Sequence, residues 1–243
     1  MSTRIPSRYD ELVESEDFQA LEGGEYAERT GVIDNSVIKI LSESQRGIIT
    51  VFSRLDPSER GFSIEDRVDR VREFSEDQDG RLYNAPELIG YDSAGALEVE
   101  FLDSAEDFIE FVKHEEPEAV RDVSREVGEA LKDMHSNGWA YRDFNYGNLM
   151  VEDNSFDNGF EVYFTDPEFV KKDPKPQDKA FDIAAFSYTY GTLGDVSEEV
   201  MSGFRDGYGL SDREANLAML SGSAKSLIVD RDISRALNGL KNM

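Results

Sequence analysis

The sequence predicts an α+β chain in two parts, a small part built mainly from antiparallel strands with one main helix, and a larger, mostly helical part. Short apolar runs between turn residues dominate the first hundred or so positions, and such runs are typical of strands. From Glu118 to His135, apolar residues recur every three or four positions, which is the spacing of one helical face. These patterns place the strands mainly in the first part of the chain and the long apolar-faced helix in the second.

Composition limits the classes of function. The 243 residues are 39% hydrophobic, which is enough to build a core. The chain has no apolar run long enough to cross a membrane and no signal-peptide pattern, so we expect a cytoplasmic protein without a membrane partner. With no cysteine and only two histidines, a zinc site is not expected.

The charge is strongly negative, with 52 acidic and 26 basic residues and a formal net charge of −26. Nucleic-acid phosphates need neutralisation by Lys and Arg, so direct nucleic-acid binding is not expected. The acidic residues are dispersed and only nine residues are lysines. This pattern is typical of proteins from salt-accumulating halophiles, in which molar salt screens self-repulsion. The alternative is an acidic mesophilic protein with a basic partner.

Three polar residues in a fixed order form the candidate site. Asn148 follows Asp143 along a glycine-containing loop, and Asp166 ends an apolar strand-like run. Asn148 and Asp166 would supply the hard oxygen ligands that Mg²⁺ needs to hold nucleotide phosphates. Asp143 would orient an acceptor hydroxyl and take its proton. The alternative is a polar turn between two strands.

The elements predicted before and after these three residues make the site prediction more specific. A helix ending at Asn137-Gly138 precedes the loop, and residues 148–151 and 160–164 are predicted to pair as a hairpin. This order resembles that of the small atypical kinases of the protein-kinase-like superfamily, namely the RIO type, the KEOPS-complex kinase and the lipopolysaccharide kinases. The motif residues that carry the resemblance are Leu131, Met134, His135, Gly138 and the stretch Gln177-Asp178-Lys179-Ala180-Phe181-Asp182.

The resemblance implies a bilobal protein-kinase-like fold that uses ATP and Mg²⁺. In that fold we expect residues 1–103 to form the nucleotide-binding N-lobe and residues 104–243 to form the C-lobe, with the catalytic loop and the acceptor side. It also implies that Asp182 braces the catalytic loop through backbone N–H groups, although a carboxylate near a helix N-terminus is favourable in any fold. Arg142, beside Asp143, is included among the candidate catalytic residues, with orientation of the loop as its alternative role.

The sequence departs from the family at two places in the candidate site. Tyr141 replaces the histidine that precedes the catalytic loop, and Pro167-Glu168 replaces Phe-Gly after the metal-binding aspartate. Proline fixes φ, which argues against an in/out switch at this position. Glu168 is a candidate for an added metal contact.

Nucleotide-binding residues are expected in the first part. Gly23 and Gly24 would let backbone amides approach phosphates, although a plain glycine turn fits equally well. Lys39 lies in an apolar strand, as does the phosphate-binding lysine of kinases, and the alternative is an outward-facing lysine. We predict Glu73 as its partner, with Glu65 as the rival.

Backbone groups from Glu100 to Leu102 are expected to contact adenine. The remaining predicted elements are a helix over Tyr9–Leu21 and a strand over Tyr83–Tyr91, with Ser104–Val112 as the start of the second part and further helices after Ser197. A lysine-rich stretch after Val170 would either attract an anionic substrate or be a solvated loop. Its members are Lys171, Lys172, Lys175 and Lys179.

Three functional hypotheses follow. The motif from Gln177 to Asp182 favours an atypical Ser/Thr protein kinase. The Pro167-Glu168 pair favours a kinase for a small hydroxylated molecule, as does Phe204-x-x-x-Tyr208, which resembles a segment of aminoglycoside-phosphotransferase-like enzymes. The absence of a standard glycine-rich loop, together with Tyr141, keeps open a pseudokinase that binds a nucleotide or a partner without transfer.

Overall fold

The computed structural model of the chain describes residues 8–20, 27–41, 64–92, 95–144, 147–154, 159–191 and 193–210. The chain divides into two compact units. The first contains the described parts of Met1–Asp77 and Ala85–Asp103, and the second contains Gln78–Asn84 and the described part of Ser104–Met243.

The first unit is built on a five-stranded antiparallel sheet in the order β1-β2-β3-β5-β4. Alternate residues of a strand face opposite sides of a sheet, and both sides carry buried clusters. On one side, Ile38 and Ile40 pack with Tyr9 and Val13 of the N-terminal helix α1. The elements are α1 (Arg8–Val13), β1 (Gln19–Ala20), β2 (Ala27–Ile33), β3 (Ser36–Leu41), β4 (Leu88–Tyr91) and β5 (Ala96–Glu100).

The main helix of the first unit is α2 (Ile64–Glu76). Its residues Val68 and Val71 are buried in one cluster with Leu97 of β5. In the β3–β5 pairing, Leu97 is opposite Lys39, and its neighbour Glu98 is opposite Ile38. Residues that are directly opposite share a face of the sheet and neighbours alternate, so this cluster lies on the face away from Ile38. A strand-rich part with one main helix is therefore confirmed.

Two predicted boundaries in this region are wrong. The helix predicted over Tyr9–Leu21 ends at Val13, and β1 follows it. The strand predicted over Tyr83–Tyr91 begins only at Leu88. Residue 84 belongs instead to the second unit, where its N–H donates to Val162 O at 2.9 Å and its carbonyl accepts from Phe164 N at 2.8 Å.

The second unit contains four of the described helices and two small antiparallel sheets. One sheet has the order β6-β8-β9 and the other pairs β7 with β10. The helices are α3 (Phe108–His114), α4 (Pro117–Ser136), α5 (Pro176–Tyr190) and α6 (Ser197–Tyr208). The strands are β6 (Glu106–Asp107), β7 (Trp139–Ala140), β8 (Leu149–Asn154), β9 (Gly159–Phe164) and β10 (Lys171–Lys172).

Helix α4 has the apolar face that the sequence predicts. The residues that recur along it are all fully buried, namely Val120, Val123, Val127, Leu131 and Met134. The helix ends at Ser136, and Gly138 adopts a left-handed φ of +83°, a conformation that glycine reaches at little cost. The predicted helix and its end are confirmed.

Helix α3 begins at Phe108, although the second predicted part starts at Ser104. Residues 106 and 107 pair with β8 instead, and the Asp107 side chain then caps α3 by accepting from Ile109 N at 2.8 Å and Glu110 N at 3.3 Å. Helices predicted beyond residue 210 lie outside the described residues. Among the helices that the structure describes, none combines the length and apolar character of a membrane span.

Candidate active site

The β8–β9 hairpin brings Asn148 close to Asp166. The strands pair with Leu149 opposite Phe164, so the residues just outside the pairing are Asn148 and Thr165. Thr165 N–H donates to Asn148 O at 3.2 Å. Asp166 is the next residue after Thr165, and both predicted metal ligands therefore lie at the open end of one hairpin.

The predicted catalytic loop contacts the same hairpin end through Asn148. The Asn148 side-chain nitrogen donates to the carboxylate Oδ2 of Asp143 at 3.0 Å and to the Asp143 backbone carbonyl at 3.1 Å. Both neighbours are acceptors, which assigns the nitrogen of the amide to this side and leaves Oδ1 as the atom suited to a metal ion. Asp143 and Asn148 are thus brought together.

Tyr141 connects the two chain segments that carry the predicted metal ligands. Its buried hydroxyl is within hydrogen-bonding distance of Asn148 O, at 2.8 Å, and of Thr165 O. Burial raises the pKa of this phenol well above its usual value, and the nearby carboxylates of Asp143 and Asp166 raise it further because negative charge disfavours a phenolate. The tyrosine at position 141 therefore has a structural role.

Asp182 holds the backbone of the loop. This carboxylate is fully buried near the middle of α5 and accepts from Tyr141 N at 2.8 Å and from Arg142 N at 2.6 Å. The predicted brace is confirmed. The sequence signal for it was the motif that ends at Asp182.

Two residues of this site have left-handed backbone conformations. Arg142 has φ +71° and Asp166 has φ +59°, values that L-residues other than Asn and Asp rarely adopt. Such conformations persist where surrounding contacts enforce them, and they are frequent at functional sites. Here the enforcing contacts are the bonds from Tyr141 and Asp182.

The Arg142 side chain turns into the protein. It is 4% exposed, and its Nε lies 4.0 Å from Asp178 Oδ1. Asp178 also binds the Lys171 ammonium at 3.1 Å and caps α5 by accepting from Lys175 N at 2.9 Å. These contacts favour the role in loop orientation for Arg142. Asp178 has no predicted role of its own, although the motif that contains it is recognisable in the sequence.

Aromatic rings pack against the loop. Phe144 makes edge-on contacts with Tyr141, Phe164 and Phe186 at centroid distances of 5.1, 5.9 and 5.6 Å. The Phe144 carbonyl accepts from the Thr189 hydroxyl of α5 at 2.7 Å. The residue after Asp143 is therefore fixed at both its side chain and its backbone.

Most of the lysine-rich stretch makes contacts within the protein. Lys171 pairs with Asp178, Lys172 lies over the Trp139 ring with its nitrogen 5.5 Å from the centroid, and Lys179 donates to His135 O at 2.5 Å. These contacts give the stretch a structural function. Lys172 and Lys175 are the exposed members of the stretch.

The predicted nucleotide-binding residues belong to the first unit. Lys39 is partly exposed and lies on the sheet face that α2 covers, because it pairs directly with Leu97. The exposed Glu73 and Glu65 are both on α2. The pairing of Lys39 with Glu73 stays a prediction, and Gly23 and Gly24 lie outside the described residues.

The segment predicted to contact adenine already uses some of its donors. Glu100 N–H donates to Glu87 O at 2.9 Å, and Phe101 N–H donates to Asn35 O at 3.2 Å. An adenine contact here would use the backbone carbonyls or the N–H of Leu102.

Within the described part of the chain, no three or more His, Asp or Glu side chains form a cluster that could hold a metal ion. The predicted magnesium ligands are of another kind, one amide oxygen and one carboxylate. Glu168, the candidate for an added metal contact, is 1% exposed and lies in the short 3₁₀ turn Pro167–Phe169.

Comparison with known proteins identifies the fold. No family model and no curated protein matches the sequence. Two solved structures resemble the chain over most of its length. WaaP in complex with acyl carrier protein has a TM-score of 0.55 and 17% identity, covering 93% of this chain and 91% of that one. The ADP-bound aminoglycoside phosphotransferase APH(2'')-Ib has a TM-score of 0.61 and 11% identity, covering 91% and 87%.

The chain therefore has the protein-kinase-like α+β fold, and the fold predicted from its motifs is confirmed.

Proposed function

We propose that the protein is an ATP- and Mg²⁺-dependent phosphotransferase that acts on a hydroxyl group. One observation carries the proposal: Asp143, Asn148 and the chain segment ending at Asp166 are joined through hydrogen bonds of Asn148 and Tyr141. A solvated polar turn would not need a fully buried tyrosine to join its two chain segments. The ADP bound to the aminoglycoside phosphotransferase of the same fold supports a nucleotide substrate.

The donor set fits Mg²⁺. The Asn148 amide oxygen and the Asp166 carboxylate are hard oxygen ligands, and Mg²⁺ usually combines one or two such groups with water and substrate phosphates. When bound, Mg²⁺ would neutralise phosphate charge. The residues of this chain contribute the positions of the two ligands, which the hairpin register and the Tyr141 hydroxyl keep together.

Asp143 would act as the base. Its carboxylate would accept the proton of the acceptor hydroxyl while the acceptor oxygen bonds to the γ-phosphorus and the bond to the ADP oxygen breaks. The bond from Asn148 to Oδ2 orients the carboxylate. The side chain is only partly buried, so an acceptor can reach it.

The acceptor class has two candidates. A protein Ser or Thr is the first, supported by the resemblance of the Gln177–Asp182 motif to atypical protein kinases. A small hydroxylated molecule is favoured by the segment between Asp166 and α5. That segment is short and largely committed to the 3₁₀ turn and to pairing with β7, so little of it is left to bind an extended peptide.

The test is transfer of labelled γ-phosphate in molar KCl with Mg²⁺ and ATP, offered to a protein panel and to a panel of small hydroxylated molecules. We expect Asp143→Asn and Asp166→Ala to lower the rate at least about a thousandfold. Asp153→Asn, which changes an exposed carboxylate of the same hairpin, is the matched control. A silent wild type that ATP and Mg²⁺ still stabilise against heat would instead identify a pseudokinase.

A further inference from the structure

A chain of hydrogen bonds extends from the partly buried Tyr208, at the C-terminal end of α6, to the predicted catalytic loop. The Tyr208 hydroxyl lies 2.7 Å from His135 Nδ1, and His135 Nε2 lies 2.9 Å from Asp182 Oδ2. His135 is 3% exposed and Asp182 is fully buried. Asp182 in turn accepts from the N–H groups of Tyr141 and Arg142. Three elements distant in sequence therefore meet at one imidazole.

The chemistry gives each bond a direction. An ionised carboxylate only accepts hydrogen bonds, so His135 Nε2 carries the hydrogen that faces Asp182. In a neutral imidazole the other nitrogen is then an acceptor, and Tyr208 donates to it. The Tyr208 hydroxyl therefore selects the ring tautomer that donates to Asp182.

The packing of α6 against α4 fixes the position of Tyr208. The helices approach so closely that a Cβ at Gly203 or Gly207 would collide with the carbonyl oxygens of Arg121 and Arg125. A Cβ at Gly128 of α4 would lie 2.7 Å from the backbone nitrogen of Tyr208. The hydroxyl therefore reaches His135 from a backbone that has little freedom to shift.

We propose that Tyr208 and His135 are positioning residues that set the geometry of the catalytic loop through Asp182. Tyr208 fixes the tautomer and orientation of His135, His135 orients Asp182, and Asp182 holds the backbone on either side of the Tyr141–Arg142 peptide. The docking of α6 thereby controls the rate of the proposed phosphotransfer without contact with substrate. The kinetic part of this inference rests on the proposed function.

The first test is Tyr208→Phe, which removes one hydroxyl and keeps the ring contacts with His135 and Phe204, whose centroids lie 5.6 and 6.0 Å away. We expect kcat to fall about tenfold, because small errors in the placement of reacting groups are costly, and the KM for ATP to stay unchanged. Tyr163→Phe is the matched control, since it removes a partly buried hydroxyl that bonds Glu161 at 2.9 Å.

Two replacements of His135 distinguish the contributions of its two ring nitrogens. In His135→Gln the amide nitrogen can occupy the place of Nε2 and still donate to Asp182, whereas in His135→Asn the shorter side chain reaches only the place of Nδ1. We expect His135→Gln to retain most of the wild-type kcat and His135→Asn to retain little of it. Equal loss in both variants, with equal unfolding midpoints, would contradict a positioning role transmitted through Asp182.

A second measurement does not need activity. Amide hydrogen exchange of Tyr141 and Arg142 reports directly on the two bonds to Asp182, and we expect both amides to exchange about tenfold faster in Tyr208→Phe. Faster exchange in a protein without phosphotransfer would support the positioning chain and reject the proposed function. Wild-type exchange together with wild-type kcat in Tyr208→Phe would overturn the inference.

Discussion

The predicted catalytic loop and the predicted nucleotide-binding residues are held in different ways. In the second unit, Asp182 and Tyr141 are fully buried and bond to backbone groups of other elements. In the first unit, Lys39 is partly exposed and takes its position from strand register, and Glu73 is exposed on α2. Loss of a single polar atom should therefore do most damage in the second unit, whereas changes in the first unit should act mainly through charge.

Asp182→Asn should give the largest effect. The new amide presents N–H hydrogens to a site where Tyr141 N, Arg142 N and His135 Nε2 all donate. We expect the free energy of unfolding to fall by about 3 kcal/mol, because buried donors lose their partners. Denaturant titration in molar KCl, followed by the fluorescence of the single tryptophan, Trp139, measures this change. An unchanged midpoint would show that the carboxylate does not hold the loop.

Gly207→Ala tests the packing that places Tyr208. Alanine normally stabilises a helix by about 1 kcal/mol relative to glycine, but here the added Cβ would meet Arg125 O. We expect a net loss of about 2 kcal/mol from overpacking.

The control for this variant is Gly80→Ala. Gly80 has φ +71°, and among the described residues other than its chain neighbours no heavy atom lies within 4 Å of the position that an added Cβ would occupy. The variant should therefore lose only about 1 kcal/mol, from backbone strain. Thermal unfolding of both variants in the same KCl buffer gives the comparison. If Gly207→Ala were the more stable of the two, α6 would be free to move away from α4.

Tyr141→Phe should change how stability depends on pH. Burial and the neighbouring carboxylates raise the folded-state pKa of this phenol above its unfolded value of about 10. The folded state therefore holds the Tyr141 phenol proton to a higher pH than the unfolded state does. The resulting contribution to the free energy of unfolding is fully present below about pH 10 and is lost as the pH rises toward the folded pKa. Wild type should lose stability more steeply than Tyr141→Phe above about pH 10, measured by urea titrations at several pH values. The same dependence of stability on pH in wild type and Tyr141→Phe would contradict a raised pKa for Tyr141.

The sequence predicts most where local pattern and tertiary structure agree. The spacing of valines and leucines in α4 predicts its buried face, and the order of Asp143, Asn148 and Asp166 predicts the residues that the hairpin brings together. The role of Tyr141 was not predictable, because its hydroxyl bonds the carbonyl of Thr165, which is distant in sequence. Every residue type carries a backbone carbonyl, so a bond to such a group cannot be predicted from the amino-acid sequence.

Tertiary contacts also explain the wrong boundaries. The apolar pattern from Tyr83 onward predicts a strand, but Asn84 bonds to β9 in the second unit, and pairing with β5 starts only at Leu88. The lysines after Val170 are clustered in sequence as a surface patch would be, and yet Lys171, Lys172 and Lys179 each have a partner within the second unit. A cluster of lysines in the sequence does not by itself distinguish an exposed patch from lysines that have partners within the protein.

The smallest predicted effect concerns the acidic partner of Lys39. Lys39 lies on the sheet face that α2 covers, which favours an acidic residue of that helix, but Glu73 and Glu65 are both exposed. Exposed ion pairs contribute little and are screened by salt, so we expect Glu73→Gln to lower kcat/KM for ATP only about threefold. The effect should shrink as KCl rises, because the counter-ions then compete with the pair. Glu65→Gln is the matched control and should leave kcat/KM unchanged, and a loss confined to Glu65→Gln would transfer the role to that residue. Equal salt dependence in both variants would instead indicate that α2 acts through its total charge, as expected for a helix in so acidic a protein.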